Sequence, residues 1–252
     1  MSDFNRNPAV RGFGADRAAT IDAGLRAYMI RVYNYMAIGV ALTGVVAWAT
    51  FNAAVVQGAG GNIVGLTSFG QTLFGSPLMW VLVLAPLALV FFISFRIQHL
   101  QAGTARALFF LYAGLVGVSL ATIFMVYTHA SITRVFFISA ASFGALSLYG
   151  YTTSRSLSAM GSFLIMGLFG LVIAMVVNIF LKSSGLDFVI SAAGVLIFAG
   201  LTAYDTQNIK EMYDPNDDAN AGGRKSVMGA LQLYLDFINL FMMLLRLLGD
   251  RR

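Results

Sequence analysis

Two stretches near the end of the chain decide its fold: residues 194–213, GVLIFAGLTAYDTQNIKEMY, and residues 231–248, LQLYLDFINLFMMLLRLL. Each is close to the length of about 20 apolar residues that a helix needs to cross a bilayer. Each nevertheless contains an aspartate, Asp205 in the first and Asp236 in the second. A carboxylate at the bilayer centre costs about 2.5–3.5 kcal/mol on insertion scales. Both aspartates must therefore face protein or water, pair with a cation or share a proton, which makes them a functional hypothesis.

The composition predicts an all-α polytopic membrane protein. Of the 252 residues, 58% are hydrophobic and only 11% are charged, whereas soluble domains carry about 25% charged residues. The basic residues are scattered between apolar runs and form no dense patch, so we expect no nucleic-acid partner. The chain has no cysteine, and its sequence shows no nucleophile–base pair or metal-ligand cluster. We therefore expect neither an enzyme nor a bound cofactor.

Seven apolar runs have the length of membrane-spanning or nearly spanning helices. They cover residues 33–56, 77–95, 105–127, 135–151, 160–181, 188–209 and 227–248. We divide the chain into a polar N-terminal segment, 1–27, and a transmembrane domain, 28–250. The first residues, to about Gly14, are expected to be mobile, and residues 20–35 to run into the first span. The polar residues 211–226 are expected to form a flexible loop.

The basic residues predict the orientation in the membrane. Most of the 16 Lys and Arg residues lie before the first span or in the loops that share its side. The excess of positive charge marks the cytoplasmic side. This pattern places the N-terminus in the cytoplasm and, with seven spans, the C-terminus outside.

This topology brings the two aspartates to a similar depth on consecutive helices, so their side chains can meet. Arg96 ends the second span on the same side, where it can act as a counter-ion or extend to the lipid headgroups. The alternative to such a meeting is that the Asp205 carboxylate reaches the inner interface of the membrane. Asn178 and Asn239 are expected to make interhelical hydrogen bonds. Arg246 lies near the outer end of the last helix, where it can pair or reach the interface.

Two facing carboxylates titrate as one coupled pair. At low pH they can share a hydrogen bond that ties their helices together. At higher pH both ionise, repel each other and attract a cation. Because carboxylate oxygens suit Ca²⁺, the sequence predicts a pH-sensitive cation pathway with Asp205 and Asp236 as transient ligands of the ion.

The residues around both aspartates also carry a resemblance. Residues 194–209, GVLIFAGLTAYDTQNI, and residues 233–241, LYLDFINLF, resemble the motifs of the Bax inhibitor-one (transmembrane Bax-inhibitor-motif) family, and the resemblance extends over about residues 24–248. It implies six helices in two three-helix layers around a central C-terminal helix. It also implies a calcium leak gated by the pair Asp205 and Asp236, with Arg96 nearby. The polar N-terminus is similar to that of bacterial members, which implies the cytoplasmic (inner) membrane.

Two functions therefore remain open. One is a pH-sensitive calcium leak channel, for which Ca²⁺ is the permeant ion and the lipid bilayer the surrounding partner. The other is an interaction protein that modulates a membrane-anchored ATP-dependent protease or a stress response, since the family also includes such members. The polar N-terminal segment would be a contact surface in the second case.

Overall fold

A computed structural model describes the backbone of residues 8–58 and 62–252, and side chains from Asp22 onward within those ranges. The long helices are α1 (Pro8–Ala54), α3 (Leu78–Arg96), α4 (Ala102–Leu120), α6 (His129–Thr152), α7 (Ser158–Leu181), α8 (Ser184–Glu211) and α9 (Ala219–Leu248). The short elements are the strands β1 (Val55–Gln57) and β2 (Ile63–Leu66), which pair antiparallel, the helices α2 (Ser68–Phe74) and α5 (Ile123–Val126), and a 3-10 turn (Ile97–His99).

The seven long helices confirm the seven predicted spans. Each is long and apolar enough to cross a bilayer. Helix α1 starts earlier than the first apolar run and crosses the predicted boundary after residue 27 without a break. The expected mobility of the first residues falls in part on residues 1–7, which lie outside the described part of the chain; from Pro8 the backbone is helical.

Helix α9 lies at the centre of the bundle, as the family resemblance implies. It packs against α1, α4, α6 and α8. In its most apolar 18-residue stretch, 67% of the residues are buried, whereas the corresponding share is 11% in α3 and in α7. Helix α3 packs on α4, and α7 packs on α8, at the periphery. Their large exposed side chains, such as Phe95 and Phe180, suit a lipid-facing position. The grouping of the six outer helices into two layers stays a prediction.

The two ends of the bundle are named by the chain direction. The N-side is the end at which α4, α7 and α9 begin and at which α3, α6 and α8 end. The C-side is the opposite end, where the β1–β2 hairpin lies after α1.

The connection between α8 and α9 is shorter than the sequence suggests. Residues 211–226 were expected to form a flexible loop, but α9 already begins at Ala219, so this prediction is wrong for residues 219–226. The Asp218 side chain accepts a hydrogen bond from the Ala221 N–H and caps the helix. Gly223 packs so closely on Ala102 of α4 that a β-carbon at Gly223 would collide with it. Cap and contact together make this polar stretch helical.

The acidic residues of that connection have local structural partners. Asp217 pairs with Lys225 at 2.6 Å. The backbone N–H of Asn216 donates to Asp214 Oδ1 at 2.9 Å and holds the pKa of that carboxyl below its usual value. These contacts fix the short turn that sets α9 antiparallel to α8.

A buried hydroxyl pair ties α1 and α4 to the central helix. Thr43 Oγ1 lies 2.8 Å from the Ala113 carbonyl oxygen and 2.7 Å from the Tyr234 hydroxyl. Thr43 also lies 3.0 Å from the Gly39 carbonyl, and its single proton serves one of these two carbonyls. The fully buried Tyr234 is therefore the donor to Thr43.

Tyr234→Phe is expected to lower the stability of the protein by about 0.5–1.5 kcal/mol, because one interhelical hydrogen bond is lost within the membrane. Thr43→Val should cost more, because it also leaves the buried Tyr234 hydroxyl without an acceptor. Thermal unfolding of the two variants in detergent measures the order. Equal stability of wild type and Thr43→Val would contradict this account of the contact.

Candidate functional site

The two intramembrane aspartates meet at the α8–α9 interface. Asp205 lies six residues before the end of α8, and Asp236 lies near the middle of α9. Close contacts of Gly229 with Ile209 and of Gly194 with Met243 set the antiparallel register of the two helices. This register places both aspartates at one level, where their carboxyl groups lie within hydrogen-bonding reach of each other.

Carboxyl groups this close can share a proton. Two ionised carboxylates are acceptors only, so a hydrogen bond between Asp205 and Asp236 requires one of them to be protonated. Asp236 is only 5% exposed, and its Oδ2 atom is buried without a hydrogen-bond partner. The pair therefore fastens α8 to α9 and leaves one acceptor oxygen unsatisfied.

Gln232 is a site residue that the sequence reasoning missed. It lies one turn before Asp236 on α9, and its Oε1 atom is also buried without a partner. Residues four apart on a helix share a face, so both unpaired oxygens lie on one stripe of α9. The i, i+4 spacing of two polar residues in an apolar helix was the available signal.

A chain of hydroxyl groups joins α1 and α6 to α8 at the residue that follows Asp205. Thr206, the neighbour of Asp205, donates to the Thr202 carbonyl at 2.7 Å and accepts from Ser147 of α6 at 2.9 Å. Ser147 in turn accepts from the Tyr33 hydroxyl of α1 at 2.6 Å. These bonds join three helices beside Asp205 and hold its turn of α8 in place.

Arg96 does not pair with the aspartates in this structure. It is exposed at the end of α3, a helix that packs on α4. It takes part in none of the ion pairs found within residues 22–58 and 62–252. Its role as a counter-ion stays a prediction.

The other predicted polar residues serve local structure. Asn239 donates to the Leu235 carbonyl of its own helix at 2.9 Å, and Asn178 accepts from the Ser183 N–H in the turn after α7 at 3.0 Å. The prediction that Asn178 and Asn239 make interhelical hydrogen bonds is therefore wrong for the bonds that they form here. Arg246 pairs with Asp187 at 3.7 Å, which confirms that it pairs near the C-side.

A cavity of about 550 Å³ opens at the N-side, between the end of α3 and the start of α9. Its lining includes Gln98, Arg224 and Met228. Met228 lies one turn before Gln232 and two turns before Asp236 on α9. The lining of the cavity therefore ends two turns of α9 before Asp236. Beyond the pair, α9 is apolar and buried from Leu240 to Leu245 except for Met242, which is only partly buried.

The arrangement offers oxygen ligands but no preformed metal centre. Within the described ranges, no group of three His, Cys, Asp or Glu residues could hold a metal ion.

Comparison with known proteins gives the same family for nearly the whole chain. A family model described as "Inhibitor of apoptosis-promoting Bax1" matches residues 25–252. The protein RP147 of Rickettsia prowazekii, described as uncharacterized, is 49% identical over 92% of this chain and 93% of its own. Inner membrane protein YbhL of Escherichia coli K12 is 46% identical over 91% of this chain and 94% of its own. An uncharacterized protein of Caulobacter vibrioides is 42% identical over the full length of both chains.

The family match covers α1 from residue 25 to the end of the chain, and so includes both aspartate-bearing helices and the central position of α9. Together with relatives above 40% identity over nine tenths of the chain, it settles the classification. This seven-helix membrane protein belongs to the Bax inhibitor-1 family.

Proposed function

We propose that the protein is a pH-sensitive calcium leak of the inner membrane, gated by Asp205 and Asp236. The observation that supports this most strongly is the close approach of two carboxyl groups at membrane depth. A hydrogen bond between them exists only while the pair keeps a proton. The pair can therefore convert a change in proton concentration into a change of helix packing.

The closed state is the one with the shared proton. In it, Asp236 is buried and fastened to α8, and the apolar part of α9 beyond the pair offers a cation no ligands. An ion that flows inward is stopped at this level before it reaches the N-side cavity. The leak is therefore closed while the proton remains.

Loss of the shared proton opens the pathway. Two like charges about 4 Å apart repel by about 4 kcal/mol at an effective dielectric constant of 20, and each 1.4 kcal/mol changes an equilibrium tenfold. This is enough to move α8 and α9 from mostly packed to mostly separated. A divalent cation offsets the repulsion while it passes between the two carboxylates.

The inner membrane and the cytoplasmic N-terminus are part of the same proposal. Escherichia coli YbhL is named as an inner membrane protein, and the basic residues favour the N-side as the cytoplasmic face. The N-side cavity then faces the cytoplasm, and Ca²⁺ flows inward down its gradient.

This orientation predicts that alkaline phosphatase fused after Arg252 is active. An inactive fusion would reverse the orientation.

Calcium entry into proteoliposomes tests the leak. The purified protein, reconstituted around a calcium dye, should pass Ca²⁺ at a rate that rises at least about tenfold between pH 6 and pH 8 (about 1.4 kcal/mol). Empty liposomes and a potassium-selective dye serve as controls. A rate equal to that of empty liposomes at every pH would remove the leak and leave the interaction protein, a modulator of a membrane-anchored ATP-dependent protease, as the remaining function.

A further inference from the structure

Two buried oxygen atoms on one face of α9 lack any hydrogen-bond partner within the described residues. They are Gln232 Oε1 and Asp236 Oδ2. A buried acceptor without a partner costs about 1–3 kcal/mol, so two of them one turn apart need an explanation. A ligand that accepts electron pairs from both oxygens would supply it.

Two donors on or beside this stripe of α9 are already occupied. Asn239, on the same stripe of α9, uses its amide N–H on the Leu235 carbonyl. Thr206 donates to Thr202. The described basic side chains that form ion pairs use Asp187, Asp217 and Asp250 as their acid partners. The two free oxygens are thus left for something that comes from outside the protein.

A hard cation matches the chemistry of this stripe. Calcium prefers carboxylate and amide oxygens and takes six to eight of them, water included. The amide of Gln232 adds an oxygen without adding a negative charge, so it strengthens binding and does not increase the repulsion between Asp205 and Asp236. It also lies one turn nearer to the N-side cavity than the pair, since Met228 of that cavity is four residues before it.

We propose that Gln232 is the third protein ligand of a calcium site formed with Asp205 and Asp236. The inference rests on the proposed function for the identity of the cation, but it concerns equilibrium binding and not flux. Gln232 is the oxygen of the site nearest to the N-side cavity. An ion that flows inward therefore passes from the two carboxylates to the amide before it reaches that cavity.

Equilibrium binding of radioactive ⁴⁵Ca²⁺ to the purified protein in lipid nanodiscs at pH 8 tests this site. The wild type should bind Ca²⁺, and Gln232→Leu should weaken binding at least about fivefold, since it removes an oxygen and keeps the bulk. Gln232→Glu, which keeps an oxygen, should retain binding, and Asp236→Asn should abolish it. Gln101→Leu makes the same substitution at an exposed glutamine that forms no capping bond, and should bind as the wild type does.

The outcomes separate this inference from the leak. Wild-type binding that Gln232→Leu weakens, without flux in liposomes, supports the site and removes the leak. Gln232→Leu that binds like the wild type overturns the role of Gln232 and leaves the leak untouched. A wild type that binds no Ca²⁺ at millimolar concentration also overturns the site. Should Gln232→Leu not fold, Gln232→Met removes the oxygen at the same chain length and carries the same expectation.

Discussion

Asp236→Asn is expected to reduce calcium flux at pH 8 at least about tenfold and to flatten its dependence on pH. The asparagine side chain has nearly the same shape as the aspartate, but its amide donates a hydrogen bond at every pH. It therefore keeps the bond to Asp205 that the wild type makes only while the proton is shared. Helices α8 and α9 should therefore stay packed together in the variant at every pH. Proteoliposome flux from pH 6 to pH 8 measures the effect.

The size of this effect follows from the repulsion that the substitution removes. With one carboxylate left, the repulsion of about 4 kcal/mol between two charges at about 4 Å disappears, which corresponds to more than two orders of magnitude in the open population. Asp205→Asn should behave alike, because the bond is mutual.

Asp187→Asn is the matched control for the aspartate substitutions. Asp187 lies on α8 as Asp205 does, but at the C-side, where it pairs with Arg246 and Arg251 at 3.7 and 3.9 Å. Partly exposed ion pairs of this kind contribute about 0–1 kcal/mol. Flux should therefore keep its pH dependence in Asp187→Asn. Undiminished, pH-dependent flux in Asp236→Asn would separate the pair from gating.

The meeting of Asp205 and Asp236 could be predicted because it depends on few unknowns. Bilayer thickness fixes the length of a span, and consecutive spans joined by a short connection are antiparallel neighbours. Two residues at similar depth on such helices are brought within reach of each other. The same arithmetic gave the seven spans, since apolar length alone decides them.

Other parts of the site depend on packing that a single sequence does not encode locally. The hydroxyl chain of Tyr33, Ser147 and Thr206 joins helices that are far apart in the chain. Arg96 lies at a suitable depth, but α3 is held at the periphery by α4. The early start of α9 depends on the contact of Gly223 with Ala102. Depth along the membrane was predictable, whereas rotation and neighbours around the bundle axis were not.

Gly150→Ala is expected to destabilise the protein by about 1–3 kcal/mol, as overpacking of a well-packed interior does. Gly150 of α6 lies against the backbone of α8, where an added methyl group would overlap the carbonyl oxygen of Ala203. Small residues allow such close approach of helices in membranes. Because the clash is with backbone, α6 and α8 must separate. The bond between Ser147 and Thr206, at 2.9 Å, should break with it.

Gly144→Ala on the same helix provides the comparison that makes this prediction sharp. A methyl group at Gly144 would meet no atom within 4 Å, and alanine favours a helix over glycine by about 1 kcal/mol. The Gly144 variant should therefore be as stable as the wild type or slightly more so, while the Gly150 variant unfolds at a lower temperature. Thermal unfolding of both in the same detergent measures the difference. Equal unfolding temperatures would mean that α6 and α8 do not cross as closely as the structure places them, and the position of Asp205 opposite Asp236, which depends on α8, would lose its support.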